Sequence, residues 1–106
     1  MAKYLLVGSY TDEGLKGLLR EGGSKRKEAA AKLAASVGGK LEALYFALGD
    51  NDFYEIVDVS DNVSVSALSL VANSTGAVKL KTVALLTAEE VDQAVKETVD
   101  YRPPGD

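Results

Sequence analysis

Apolar positions change their spacing several times along the chain, and each change marks a boundary between elements. Residues 3–10 alternate imperfectly and end on Thr11-Asp12, which predicts a strand followed by a helix start. A short helical piece through Leu15, Leu18 and Leu19 follows and ends near Gly22-Gly23. Ser24 is then a candidate N-cap, and Ala30, Leu33, Ala34 and Val37 recur at i, i+3, i+4 and i+7 until Gly38-Gly39 stops the helix. Residues 40–48 and 53–59 are rich in aromatic and β-branched side chains, and Gly49-Asp50-Asn51-Asp52 between them has turn chemistry, so the pair predicts a hairpin. Ser60 or Asp61 caps a second helix with Val63, Ala67, Leu70 and Val71 along one face and Gly76 just past its end. A fourth strand over residues 77–86 follows. Thr87 with Glu90 three residues on forms a capping box for a last helix of about ten residues, and residues 98–106 make an extended tail.

The order β-α-β-β-α-β predicts an α+β domain of the ferredoxin-like split-βαβ type with an extra C-terminal helix, one domain over residues 1–106. Two helices cover one face of such a sheet, so the other should look polar. It does not: in residues 40–48 one parity carries Leu44, Phe46 and Leu48 and the other Leu41, Ala43, Tyr45 and Ala47. In residues 77–86, Val78, Leu80, Ala84 and Leu86 oppose Val83 and Leu85. A second copy is the economical cover, and burying about 800 Å² per partner would suffice. The expected partner is therefore the chain itself, as a homodimer or larger homo-oligomer.

Composition narrows the chemistry by what it lacks. The 106 residues include no His and no Cys, which removes Ser-His-Asp and Cys-His catalysis within one chain, zinc fingers, and His- or Cys-ligated haem and iron–sulfur centres. Without disulfides, a hydrophobic core must supply the stability. The net charge of −4 and pI near 4.8 disfavour nucleic acid, and the one basic cluster, Lys25-Arg26-Lys27, is short. The opening residues do not read as a signal peptide and no apolar run is long enough to span a bilayer, so no membrane partner and a cytoplasmic location are expected. The sequons at Asn62 and Asn73 are read as accidents of composition.

The segment Gly39 to Tyr54, followed by Val57-Asp58-Val59-Ser60-Asp61, resembles the GYD-domain family of small bacterial proteins. Arg26, Gly38-Gly39, Tyr45, Gly49, Asp52 and Asp61 match its pattern, whereas Asn51 stands where that family usually has a tyrosine and Ser60 where it has a proline. The resemblance implies a ferredoxin-like fold related in shape to dimeric α/β-barrel proteins, among them small oxygenases and stress-responsive binding domains. It implies no particular activity. If the turn tyrosine of the family contacts a ligand, Tyr54 or Tyr45 must replace it here.

In the split-βαβ arrangement Tyr10, Ser24-Lys25-Arg26 and Asp50-Asn51-Asp52 lie at one end of the sheet. An anion could bind there, at a helix start reinforced by Lys25 and Arg26. The competing expectation is that Asp50 or Asp52 pairs with Arg26 and simply orients the hairpin. Asp50-Asn51-Asp52 begins like a calcium loop, but Glu55 stands where glycine is needed, so no metal is expected. Tyr4, Tyr10, Tyr45, Tyr54 and Tyr101 suit either aromatic ligands or an interface. Glu55 and Asp58 fall on opposite parities of an apolar strand, so one of them faces solvent or a cleft between sheet and helices. The candidate ligand-binding set is Tyr10, Arg26, Tyr45, Asp50, Asp52 and Tyr54, with no cofactor.

Two functions follow from different classes. One is a homo-oligomeric binding or assembly module that takes a small molecule or an anion. The other is a cofactor-independent enzyme of the dimeric α/β-barrel type, oxygenase- or isomerase-like, in which tyrosine and carboxylate replace histidine. A cavity of about 300 Å³ or more with a carboxylate or phenol pointing into it favours a small-molecule role.

Overall fold

Side-chain caps set the starts of all three helices in the computed structural model, which describes residues 2–106. The elements are β1 (Ala2–Tyr10), α1 (Asp12–Ser36), β2 (Lys40–Phe46), β3 (Phe53–Val59), α2 (Asn62–Ser74), β4 (Val78–Ala84) and α3 (Ala88–Ala94). The Thr11 hydroxyl accepts from the Gly14 amide at 3.2 Å, and Asp61, not Ser60, accepts from the Ser64 amide at 2.9 Å. At Thr87 the capping box is complete, the hydroxyl taking the Glu90 amide at 3.1 Å while the Glu90 carboxylate takes the Thr87 amide at 2.9 Å.

The chain is α+β, with one antiparallel sheet in the order β2-β3-β1-β4, compatible with a ferredoxin-like fold. Tyr4, Leu6, Val57 and Val59 on the two central strands pack against Ala34 of α1 and Val65 and Leu68 of α2, so both long helices cover the same face. The buried Tyr4 hydroxyl donates to Asn62 Oδ1 at 2.6 Å, which keeps a polar atom satisfied at the base of α2. A second cluster, Ala30, Leu44 and Phe53, extends this core toward β2.

The two helical pieces expected on either side of Gly22-Gly23 are present within α1: Gly22, with φ of 81° and ψ of 173°, is non-helical and separates them. Only glycine takes that backbone conformation without strain. Three details depart from the sequence expectation. On α2 the buried stripe is Val65 and Leu68, whereas Val63, Leu70 and Val71 are 78%, 72% and 59% exposed. The helix carries two apolar stripes, and its docking on the sheet selects the one that is buried. In β2 a bulge between Leu41 and Ala43 shifts the alternation, so Leu41 joins Leu44 on the helix-covered side. Finally, α3 has seven residues instead of about ten, and none of them is buried.

β4 is an edge strand, and α2 occupies its open side. The Leu80 amide donates to Asn73 Oδ1 at 2.8 Å and the Leu80 carbonyl accepts from Asn73 Nδ2 at 3.2 Å. Asn73 thus stands in for a neighbouring strand at that position.

Open-face positions are Leu5 and Val7 on β1, Tyr54, Ile56 and Asp58 on β3, Ala43 and Tyr45 on β2, and Lys79, Lys81 and Val83 on β4, as the register requires. Lys3 closes one end of this face in an ion pair with Glu42 and at 3.5 Å from Asp58, whose Oδ1 is buried without a partner. Beyond β4, every residue from Leu86 to Asp106 is exposed. Charge is divided the same way: through Leu86 ten acidic residues balance ten basic ones, and the last twenty residues, with six acidic and two basic, carry the whole net charge of −4. Among the described residues no helix is long and apolar enough to cross a membrane.

Candidate functional site

β3 turns Phe53, Glu55, Val57 and Val59 toward the helices, and its register sets Glu55 opposite Leu6 on β1 and Leu44 on β2. A carboxylate therefore occupies the middle of an otherwise apolar face. It opens on a cleft of about 350 Å³ between the sheet and the two long helices, walled by Leu6, Leu33, Leu44, Leu68 and Leu80 and bearing Tyr10 and Arg26 at its polar side. Burial pushes the Glu55 carboxyl up to about 7, against the opposing pull of Arg26. Burial also raises the Tyr10 phenol, with Arg26 acting the other way.

Arg26 sits just beyond the kink in α1. Its guanidinium lies 3.4 Å from the Glu21 carboxylate, so the expected pairing with Asp50 or Asp52 does not form. The break at Gly22 lets the end of the first helical half reach back to Arg26, and both side chains remain more than one-third exposed, which makes this a weak, displaceable pair. Asp52 is engaged elsewhere: it accepts the Tyr10 amide at 2.8 Å and so fixes the hairpin against the end of β1. The Tyr10 ring packs on Phe53 at 5.3 Å between centroids, tilted by 45°.

The six residues nominated from sequence thus divide. Tyr10 and Arg26 line the cleft, and Asp52 supports Tyr10 from behind. Asp50 is exposed at the hairpin tip, where its carbonyl accepts the Ser9 hydroxyl at 3.4 Å. Tyr45 and Tyr54 face each other in register on the opposite side of the sheet, 73% and 40% exposed, far from any role in the cleft. Asn51, at the position of the family's turn tyrosine, donates to the Tyr54 hydroxyl at 3.2 Å. Glu55 is the residue that nomination missed. Alternation along β3 leaves Glu55 or Asp58 for the less apolar space, and in the structure Glu55 faces the cleft and Asp58 the open face.

Chemically, the cleft offers a leucine-rich chamber, one permanent cation at its margin and one carboxyl able to hold or release a proton near neutrality. That arrangement suits a small, largely apolar molecule with a single polar or ionised group.

A four-stranded antiparallel sheet with two helices on one face and a cleft between the two layers defines a small α+β domain. The chain belongs to the GYD domain family, whose pattern matches residues 4–95. No curated protein and no solved structure matches it.

Proposed function

We propose that this chain is a small homo-oligomeric binding module whose sheet–helix cleft takes a small molecule with an apolar body and one polar or anionic group. The observation that carries this reading is the cavity of about 350 Å³ in which Glu55, Arg26 and Tyr10 meet a leucine wall. Protein interiors are ordinarily close-packed, and a carboxyl facing such a space costs the unliganded fold stability that a bound polar group would offset. In this reading the polar group of the ligand takes Arg26 from Glu21 and meets the Glu55 carboxyl.

Thermal-shift screening against aromatic and anionic metabolites tests it. Compounds that raise the melting temperature of the parent should lose the effect in Arg26→Ala and Glu55→Gln, and keep it in Tyr45→Ala on the far side of the sheet. A panel with no stabilising member, or stabilisation indifferent to Arg26 and Glu55, rejects the cleft as a binding site.

Self-association through the open face belongs to the same proposal. The apolar positions Leu5, Val7, Ile56, Tyr54, Tyr45 and Val83 support it, in the manner of dimeric α/β-barrel proteins. Size-exclusion chromatography with light scattering reads the mass directly, and a monomer at every concentration would sink it.

The raised Glu55 carboxyl favours one second reading, a cofactor-independent enzyme of isomerase or oxygenase type in which Glu55 exchanges a proton with the bound molecule. Its signature is a rate that inflects near pH 7 and is abolished in Glu55→Gln while binding survives.

A further inference from the structure

The last twenty residues meet nothing of their own chain that would hold them. Leu86, Val95, Val99 and Tyr101 are exposed by about two-thirds or more; Val91 lies on α3 one turn before Val95, the residue that caps its C-terminal end, and Val99 follows in the extended chain beyond the helix. A folded chain of this mass ordinarily exposes about 5,700 Å², whereas this one exposes 7560 Å². Its radius of gyration is 16.8 Å, against about 13 Å for a compact chain of this length. The surplus area is more than twice the roughly 800 Å² that one partner contributes to a standard interface.

Charge says where that surface fits. The arm holds six acidic side chains and two basic ones. On the open face, β4 presents Lys79 and Lys81 beside the apolar Val83, Leu5 and Val7, and β4 carries no acidic residue. An acidic segment with an apolar stripe complements a lysine-flanked apolar strand.

We propose that residues 87–106 of one copy lie along the β4 side of the open sheet face of a second copy, and that the exchange is reciprocal. The valines of the arm cover Val83, Leu5 and Val7 of the other copy, while its carboxylates meet Lys79 and Lys81. The arm thus clasps the partner, extending the self-association proposed above, on which this inference rests.

The full chain tests it, and the absence of cysteine makes introduced thiols unique. The triple variant Val91→Ser/Val95→Ser/Val99→Ser should raise the dimer dissociation constant by at least about tenfold. It should leave the unfolding of the dilute monomer unchanged, because those side chains are exposed there. A tagged Val95→Cys chain mixed with an untagged Val83→Cys chain should oxidise to disulfides joining unlike chains in excess of like ones. A triple variant that dimerises as tightly as the parent overturns the arm while self-association stands. So does a Val83→Cys/Val95→Cys chain that closes only within itself. A parent that stays monomeric at all concentrations removes both proposals.

Discussion

Glu55 ties the candidate site to stability. Its carboxyl goes from an ordinary 4.5 to about 7 on folding, so the folded state holds the proton more tightly than the unfolded chain does. Below about pH 4.5 both states are protonated and burial costs little; between there and pH 7 the unfolded chain ionises first and folding stability declines. The groups facing Glu55 are Arg26 from α1 and Tyr10 from β1, while α2 and β4 contribute only neutral side chains to the cleft. Glu55→Gln should therefore unfold in urea much as the parent does at pH 4, and be more stable at pH 8 by about 3 kcal/mol. Equal stabilities at pH 8 would mean that Glu55 is well solvated. The alternation of residues 53–59 makes Glu55 legible as one of two odd carboxylates. Which side of the sheet the helices take is a long-range outcome that alternation does not carry. Likewise, Arg26 was legible as a candidate, but its partner was not, because Glu21 reaches it only through the break at Gly22.

That break is the main feature at the scale of elements. Gly22→Ala puts a methyl-bearing residue at φ of 81°, which should cost about 1–2 kcal/mol and separate Glu21 from Arg26. Denaturant titration reads the first effect, and the NMR resonance of the Arg26 side chain the second. Gly14 is needed for a different reason: a Cβ there would overlap the Ala77 carbonyl, where the start of α1 meets the loop before β4. Gly14→Ala should lose about 1–3 kcal/mol by calorimetry. Element types and order were legible because caps, glycine stops and turn residues agree with the periodicity. The buried stripe of α2 was not, since Val63-Ala67-Leu70 and Val65-Leu68-Ala72 have equal helical spacing and only docking on β4 distinguishes them. The β2 bulge escaped for a similar reason, since one extra residue inverts parity without a sequence mark. The capping box of α3 was plain, and it acts almost alone. Thr87→Ala should lower helix content slightly by circular dichroism while leaving the melting temperature within a degree or so, because α3 has no buried residue through which to stabilise the body.

At the scale of the whole molecule, stability and exposure are unevenly shared. Residues of β1 and β3 such as Leu6, Val57 and Val59 are the most deeply buried, and they should show the slowest amide exchange. Residues 87–106 should exchange at nearly unstructured rates in dilute monomer and slow markedly at concentrations where the protein self-associates, as mass spectrometry of exchanged peptides can follow. Parity in residues 77–86 predicts apolar side chains on both sides of the sheet, but β4 turns Lys79 and Lys81 to the open face beside Val83, and the apolar positions there come mainly from β1 and β3. The stand-off of the arm was not legible, because its caps and valines describe a well-formed helix and are silent on what it docks against.

The segregation of charge has one more outcome. Because the body up to Leu86 is balanced and the arm carries all four surplus negative charges, a single proteolytic nick behind β4 would turn an anionic protein into one near its isoelectric point at neutral pH. An anion exchanger would register that cleavage as lost retention, and colloidal solubility would fall with it, so the arm serves the free chain as its electrostatic float.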